Sequence, residues 1–150
     1  MFLGEYQHSL DKKGRLTVPA RYRQLLAEGG YITQGFDRNL MVLRIAAFES
    51  MSAKVNQMSL TKSSARELRR VLFSRAERIE PDKNGRILLP SFLRQEIGLD
   101  GEVMVVGVGN YFEIWSPSTW QKQMKRLREA QDNAEYFAEL DLFTDESDAE

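Results

Sequence analysis

Short apolar runs separated by turn residues predict a chain built mainly from short strands. In the first half, apolar positions and β-branched residues mark four strands, at residues 2–10, 15–18, 31–35 and 40–45. The Asp-Lys-Lys-Gly of residues 11–14 predicts a tight turn between the first two strands. Pro19 ends the second strand and begins a short helix over residues 20–28, which Gly29 and Gly30 close.

The second half is predicted to repeat this order. Its strands lie at residues 76–80, 86–89, 102–108 and 111–115, and a helix at residues 90–97 ends before Gly98. Three further helices are predicted from their apolar spacing and start signals, at residues 46–57, 62–74 and 116–140.

The two halves share a sequence motif. Asp-Lys-Lys-Gly-Arg-Leu-Thr-Val-Pro begins at Asp11 and returns as Asp-Lys-Asn-Gly-Arg-Ile-Leu-Leu-Pro at Asp82, 71 residues later. At the same spacing Gly30 matches Gly101 and Asn39 matches Asn110, which predicts that the whole unit is duplicated. The halves either pack together as a pseudo-dimer or follow one another as separate units. A single half has too few residues to bury a core well, which favours mutual packing.

These elements predict an α+β fold that is mainly β, in which eight strands from two tandem halves close into one small barrel with peripheral helices. The predicted division of the chain has four parts: a first repeat at residues 5–47, linker helices at 48–75, a second repeat at 76–119, and a C-terminal helix with an acidic tail at 120–150.

The formal net charge of −1 conceals an uneven distribution. Residues 135–150 contain seven acidic residues and no Lys or Arg, so residues 1–134 carry 21 basic against 15 acidic side chains, a net charge of +6. A basic body favours an acidic partner such as nucleic acid. The tail is either a solvated chain end or a segment that competes with polyanions for the basic surface.

Little in the sequence indicates catalysis or a cofactor. His8 is the only histidine and there is no cysteine, so Cys–His pairs, disulfides and thiolate metal sites are excluded, and no metal-ligand spacing is present. We expect no enzyme activity, no cofactor and no small-molecule ligand. The chain shows no membrane-spanning apolar run or signal-peptide pattern, and we expect a cytoplasmic protein.

The duplicated turns are the candidate functional site. We assign Asp11, Gly14, Asp82 and Gly85 to forming the turns, because Asp caps local N–H groups and Gly accepts positive φ. One acid in each turn cannot neutralise all the neighbouring cations, which are Lys12, Lys13, Arg15, Lys83 and Arg86. These five residues therefore predict a polyanion-binding patch, with double-stranded DNA as the partner. The alternative is that the Asp–Arg pairs only stabilise the loops and the lysines are solvated.

The paired Asp-x-x-x-Arg motifs, the opening Met-Phe-Leu-Gly and the Glu-Ile-Trp at residues 113–115 strongly resemble the MraZ family of bacterial transcriptional regulators. The resemblance implies two AbrB/SpoVT-like halves that form a swapped-hairpin barrel within one chain. It also implies a repressor, associated with the nucleoid, that binds direct repeats upstream of its own gene in the division and cell-wall gene cluster. Copies of the chain would assemble into a homo-oligomeric ring.

On that resemblance, Arg15 and Arg86 are the principal DNA contacts and Lys12, Lys13 and Lys83 flank them. Asn84 replaces Lys13 in the second turn, so the first turn is expected to bind more strongly. We also expect the loss of Arg15 to weaken DNA binding far more than the loss of Arg94. The alternative functions are an oligomeric interaction module and an antitoxin-like regulator, both with basic turns that only stabilise loops.

Overall fold

The computed structural model describes residues 1–132, 135–140 and 142, and the chain divides into two units, residues 1–117 and 118–150. The first unit contains eight strands: β1 (Glu5–Ser9), β2 (Arg15–Thr17), β3 (Gly30–Gln34), β4 (Leu40–Arg44), β5 (Glu77–Ile79), β6 (Arg86–Leu88), β7 (Glu102–Gly107) and β8 (Tyr111–Trp115). It also contains four helices: α1 (Ala20–Arg23), α2 (Ile45–Asn56), α3 (Ser63–Ser74) and α4 (Ser91–Glu96). The predicted α+β fold with mainly β elements is confirmed.

The strands of the two halves are interleaved. One antiparallel sheet has the order β1-β7-β8-β4-β3-β5, and β2 pairs with β6 in a separate two-stranded ribbon. Strand β1 of the first half therefore lies on β7 of the second half, and β5 of the second half lies on β3 of the first half. The halves pack together rather than as separate units, and each contributes its first strands to the other. Closure of the strands into one barrel stays a prediction.

A pseudo-two-fold axis relates the two halves at the ribbon. In the β2–β6 register Leu16 lies opposite Ile87, which is its own equivalent in the repeat. Each strand also continues the pairing past its end: the Leu89 N–H donates to the Gly14 carbonyl at 3.0 Å, and the Val18 N–H donates to the Gly85 carbonyl at 2.9 Å. Equivalent residues thus make equivalent bonds in opposite directions across the ribbon.

The predicted equivalence of the two hairpins is wrong in register. Gly30 lies within β3 opposite Ile79, whereas Gly101 precedes β7 and adopts a φ of 81°. In the matching ladder His8 pairs with Val103, so Val103 and not Gly101 occupies the place of Gly30. Strand pairing with the other half, rather than the spacing of the turns, determines which residues correspond here. Gly30 must be small because a Cβ would collide with the Leu43 carbonyl.

Asn39 and Asn110, which match at the 71-residue spacing, lie in different environments. Asn39 is fully buried, and its amide donates to the Glu113 carboxylate at 2.8 Å. Asn110 is exposed at the β7–β8 turn. The Glu113 carboxylate accepts a second hydrogen bond from the Trp115 indole at 3.1 Å. Burial raises the pKa of Glu113, and the two donors oppose that effect. This network crosses the β4–β8 pairing, where the two halves meet.

A single hydrophobic core is built by residues of both halves. Phe2, Tyr22 and Phe112 lie at its centre with ring centroids 5.0 to 5.2 Å apart. The remaining fully buried members come from both sheets and from the segments of α1 and α4, including Leu16, Val18, Leu26, Ile32, Val42, Ile87, Leu89, Leu93, Val103 and Ile114. Because this apolar surface is shared, neither half can bury its own part of the core alone.

The helices depart from the predicted lengths in two places. Helix α1 covers Ala20–Arg23 only, and the predicted residues 24–28 continue as turns in which the Leu26 N–H is shared between the Tyr22 and Arg23 carbonyls. The predicted helix at residues 116–140 is described as two, α5 (Pro117–Gln131) and α6 (Glu135–Ala138). Most of the predicted acidic tail lies outside the described residues. Among the described helices, each is too short or too polar to span a bilayer.

Tyr22 provides a test of the shared core. It is 1% exposed, its hydroxyl donates to the Leu3 carbonyl at 2.7 Å, and burial raises its pKa to about 12. Tyr22→Phe removes this hydrogen bond to the Leu3 carbonyl, so we expect the free energy of unfolding to fall by about 1–2 kcal/mol. The measurement is urea denaturation followed by tryptophan fluorescence.

Tyr31→Phe is the matched control, because the Tyr31 ring stacks on Phe48 at 4.1 Å and keeps that contact without its hydroxyl. A loss in Tyr22→Phe no larger than in Tyr31→Phe would contradict a stabilising role for the Tyr22 hydrogen bond.

Candidate nucleic-acid interface

The first cationic turn is closed by the backbone and capped by Asp11. The Gly14 N–H donates to the Asp11 carbonyl at 3.0 Å, and Gly14 adopts a φ of 82°, which a residue with a Cβ resists. The Asp11 Oδ1 atom accepts from the N–H groups of Lys13 at 2.9 Å and Arg15 at 2.8 Å. Asp11 and Gly14 therefore form the turn as predicted from their residue types.

The second turn has the same construction. The Gly85 N–H donates to the Asp82 carbonyl at 2.9 Å, with Gly85 at a φ of 73°. The Asp82 Oδ1 atom accepts from the N–H groups of Asn84 at 2.9 Å and Arg86 at 3.0 Å. The repeated sequence thus encodes one local structure twice, and the difference between Lys13 and Asn84 leaves the backbone of the turn unchanged.

Each aspartate also orients the arginine that ends its turn. The Arg15 Nε donates to Asp11 Oδ2 at 2.6 Å, and the Arg86 Nε donates to Asp82 Oδ2 at 2.9 Å. Both arginine side chains remain 29% exposed. These hydrogen bonds use Nε of each arginine and leave its terminal nitrogens as further donors. Arg86 Nη1 also lies 4.0 Å from Asp11 Oδ2, which links the two turns.

Hydrogen bonding determines the protonation of the two aspartates. The backbone N–H of Arg15 is the largest cause of a lowered pKa at Asp11, and the backbone N–H of Arg86 has the same effect at Asp82. In both cases partial burial acts in the opposite direction and is outweighed. Both carboxylates are therefore ionised at neutral pH and continue to hold their arginines.

The ribbon brings both arginines to one face. Arg15 lies opposite Leu88 and Thr17 lies opposite Arg86 in the β2–β6 register. Residues directly opposite one another, and residues two apart along a strand, share a face. Arg15 and Arg86 are therefore diagonal neighbours on the outer face of the ribbon. Leu16 and Ile87 occupy the inner face and are fully buried in the core.

Two further arginines lie at this site, and the sequence-based assignment omitted them. The Arg94 guanidinium packs over Gly14, where an added Cβ would lie 2.6 Å from its Cζ atom. Arg23 packs over Gly85 in the same way, with Nε 2.6 Å from such a Cβ. Arg23 Nε donates to the Val18 carbonyl at 3.1 Å and Arg94 Nε to the Leu89 carbonyl at 3.0 Å. Each arginine thus covers the turn of the other half.

Arg94, whose loss is expected to weaken DNA binding far less than the loss of Arg15, therefore lies over the first turn. Arg23 and Arg94 already stand at equivalent positions of the repeat, and this coincidence was the available indication. Their place could not be read from the sequence, because each arginine contacts the opposite half across the pseudo-two-fold axis. Four arginines, two from each half, therefore lie at the ribbon, rather than the two that the motif contains.

The predicted lysines lie at the tips of the turns. Lys12, Lys13 and Lys83 are exposed, and none forms an ion pair with any residue that the structure describes. By contrast, Arg66 and Arg69 of helix α3 are used within the protein. Arg66 donates to the Leu60 carbonyl, and Arg69 donates to the carbonyls of Val55, Asn56 and Met58 at the end of α2. Unlike these two arginines, the side chains of the three lysines at the turn tips have no hydrogen bond or ion pair to a described residue that would hold them within the protein.

Over residues 1–132, 135–140 and 142, no group of three or more His, Asp or Glu side chains is placed to hold a metal ion. The chemistry of the ribbon is that of an anion-binding surface. Arginines hydrogen-bonded through Nε lie beside exposed lysines, and both suit phosphate oxygens or the acceptor edges of bases.

The two aspartates make the ribbon sensitive to acid. Because their pKa values are lowered from the ordinary 3.8 in the folded state, their contribution to stability is fully present above that pH and is lost as pH falls through the lowered values. We therefore expect the thermal stability of Asp11→Asn/Asp82→Asn to fall below that of the wild type near pH 6 and to approach it near pH 2. Scanning calorimetry across this range measures the difference. Asp100→Asn, at an exposed position outside the turns, is the control, and a gap that is independent of pH would contradict the expectation.

Comparison with known proteins identifies the repeat. A family model described as "MraZ protein, putative antitoxin-like" matches the chain twice, over residues 1–71 and 72–143, which confirms the two tandem halves. A relative from Herpetosiphon aurantiacus is 45% identical over 121 residues, covering 81% of this chain and 85% of the relative. Relatives from Roseiflexus castenholzii and Moorella thermoacetica are 42% and 44% identical over 139 residues, covering 93% of this chain and 95% of each relative. All three are named transcriptional regulator MraZ. Since both halves match the family model and the relatives align over most of their length, the chain belongs to the MraZ family of transcriptional regulators.

Proposed function

We propose that this chain is a DNA-binding transcriptional regulator and that the outer face of the β2–β6 ribbon is its DNA-binding surface. The observation that carries the proposal is the placement of Arg15 and Arg86 side by side on that face, each oriented by its own aspartate. An arginine held in one direction loses less conformational freedom on binding than a mobile one.

The dimensions of the ribbon support a groove-binding mode. A two-stranded β-ribbon fits the major groove of B-DNA, which is about 12 Å wide. In such a position Arg15 and Arg86 reach base edges or the phosphates that border the groove, and guanine is the base that arginine binds best. Lys12, Lys13 and Lys83, at the tips of the turns, are placed to contact phosphates on either side.

Charge supports the same surface. The first turn has three cations for one acid and the second has two for one, and Arg23 and Arg94 add a cation over each turn. The excess of positive charge attracts DNA through the release of condensed counterions.

An isolated ribbon of this size makes few contacts, so several linked copies would bind more strongly through effective concentration. We therefore propose a ring-like homo-oligomer that binds successive repeats upstream of its own gene, within the division and cell-wall gene cluster, and acts there as a repressor associated with the nucleoid.

The division of the chain at residues 5–47, 48–75, 76–119 and 120–150 is part of this proposal. The linker segment, with α2 and α3, connects two repeats whose strands are exchanged, and two of its cations, Arg66 and Arg69, donate to backbone carbonyls of the same segment. The repeats carry the DNA contacts and the linker supports them.

Single arginine variants test the surface. We expect Arg15→Ala and Arg86→Ala each to weaken binding to a duplex from the upstream region by about 10- to 100-fold, because each removes an oriented cation with up to two donor contacts. Arg70→Ala removes the same charge at an exposed position of α3 and is expected to change affinity little. Fluorescence anisotropy titration at one fixed salt concentration makes the comparison.

If all three variants bind equally well, the ribbon is not the DNA-binding surface. Failure of the wild-type protein to bind any duplex in a salt-dependent manner would instead favour an interaction module or an antitoxin-like regulator with structural turns.

The flanking lysines are tested by salt dependence. Lys12→Ala/Lys13→Ala is expected to reduce the slope of log K against log salt by about one unit for each phosphate that the variant no longer neutralises, with similar losses on all sequences. Lys83→Ala removes one cation from the second turn and is expected to have about half that effect. Slopes that do not change in either variant would exclude the turn tips from contact with phosphate.

Assembly is tested by the number of binding sites in the probe. We expect affinity to rise by about 100-fold or more between a duplex with one site and a duplex with several, because linked copies bind the later sites intramolecularly. Light scattering of the protein with and without DNA measures the mass of the assembly. Equal affinity for both duplexes together with a monomeric mass would contradict the proposed ring.

A further inference from the structure

The outer face of the ribbon carries one large apolar side chain. Leu88 is 56% exposed, although it lies between the two cationic turns and directly opposite Arg15. A phosphate oxygen gains nothing from an aliphatic neighbour, and exposed apolar surface in water is unfavourable. Phosphate binding by the arginines and lysines therefore gives no reason for Leu88.

The two halves differ at the position of Leu88. The residue equivalent to Leu88 in the first half is Thr17, which lies on the same face opposite Arg86. The buried positions between them remain aliphatic in both halves, as Leu16 and Ile87. The outer face of the ribbon therefore has one end with arginine beside leucine and another with arginine beside threonine.

DNA offers one apolar group to a side chain in this place. The C5-methyl group of thymine is exposed in the major groove, and aliphatic side chains discriminate thymine by contact with it. An arginine next to the leucine binds the adjacent base pair or its phosphate. An aliphatic side chain cannot form hydrogen bonds, so at a base edge its favourable contact is with this methyl group.

Resting on the proposed binding of the ribbon to duplex DNA, we infer that Leu88 is a specificity-determining residue that packs against the methyl group of one thymine in the major groove, beside the contact made by Arg15. Because Thr17 replaces it at the other end, the ribbon has unlike ends. A ribbon with unlike ends distinguishes the two directions along a duplex, which a two-fold symmetric surface does not.

The experiment removes the methyl group from the DNA. Each thymine of a bound duplex from the upstream region is replaced in turn by deoxyuridine, which lacks only that methyl group, and the affinity of the full-length wild-type protein is measured by anisotropy. We expect a loss of about three- to ten-fold at one thymine position and little change at the others.

Variants assign that loss to Leu88. Leu88→Ala is expected to bind the thymine duplex about three- to ten-fold more weakly than the wild type and to bind the thymine and deoxyuridine duplexes equally. Thr17→Ala, at the equivalent position, keeps the distinction. Leu60→Ala, which truncates a leucine that is 63% exposed in the α2–α3 connection, also keeps it. Circular dichroism and light scattering are recorded for every variant.

Three outcomes overturn the inference. Equal wild-type affinity for all deoxyuridine duplexes shows that no methyl group is read, while salt-dependent binding of the thymine duplex leaves the proposed function intact. A changed mass of Leu88→Ala with unchanged thymine preference makes Leu88 a contact between copies of the chain. Absence of wild-type binding to the thymine duplex removes the proposed function and the inference together.

Discussion

The pairing of β2 with β6 is the constraint on which the site depends. Each strand has only three residues, and the Leu89 and Val18 N–H groups find their acceptors at glycines of the opposite half. Leu16 and Ile87 are likewise buried only when the ribbon closes over the core. Separation of the halves would leave buried donors and apolar side chains without partners. Core burial and backbone bonding therefore hold the two cationic turns together against the repulsion between their charges.

The turns could be predicted from the sequence because their chemistry is local. Asp11 and Gly14 act within five residues, and so do Asp82 and Gly85, which makes the motif readable without knowledge of the fold. The duplication was also readable. The strand order was not, since β1 pairs with β7 and β5 with β3 through contacts between distant segments. For the same reason the places of Arg23 and Arg94 were missed. The structural counterpart of Gly30 is Val103 and not Gly101, because the pairing of β1 with β7, and not the spacing of the turns, determines which residues correspond.

The aspartates have opposing effects on an anion-binding surface. Each reduces the local positive charge by one, which weakens the attraction to a polyanion. Each also occupies the Nε atom of its arginine and fixes the direction of the terminal nitrogens. For a partner with many phosphates, positive charge alone gives strong long-range attraction. Recognition of a particular sequence needs side chains held in a defined direction, because phosphate contacts carry no sequence information. The lysines at the turn tips retain the attraction, while the paired arginines provide defined geometry. The difference between unpaired lysines and oriented arginines follows from the placement of the acids.

Duplication within one chain permits an asymmetry that a homodimer lacks. Two identical chains related by a two-fold axis must present the same residue at both ends of the ribbon. Here the buried positions remain alike, as Leu16 with Ile87 and Val18 with Leu89, because the shared core requires aliphatic side chains on both sides of the axis. The exposed positions are free of that requirement, and they differ as Lys13 with Asn84 and Thr17 with Leu88. Symmetry is thus retained where the halves pack together and is broken at these two exposed positions, so the proposed DNA-binding surface can bind an asymmetric partner in a single orientation.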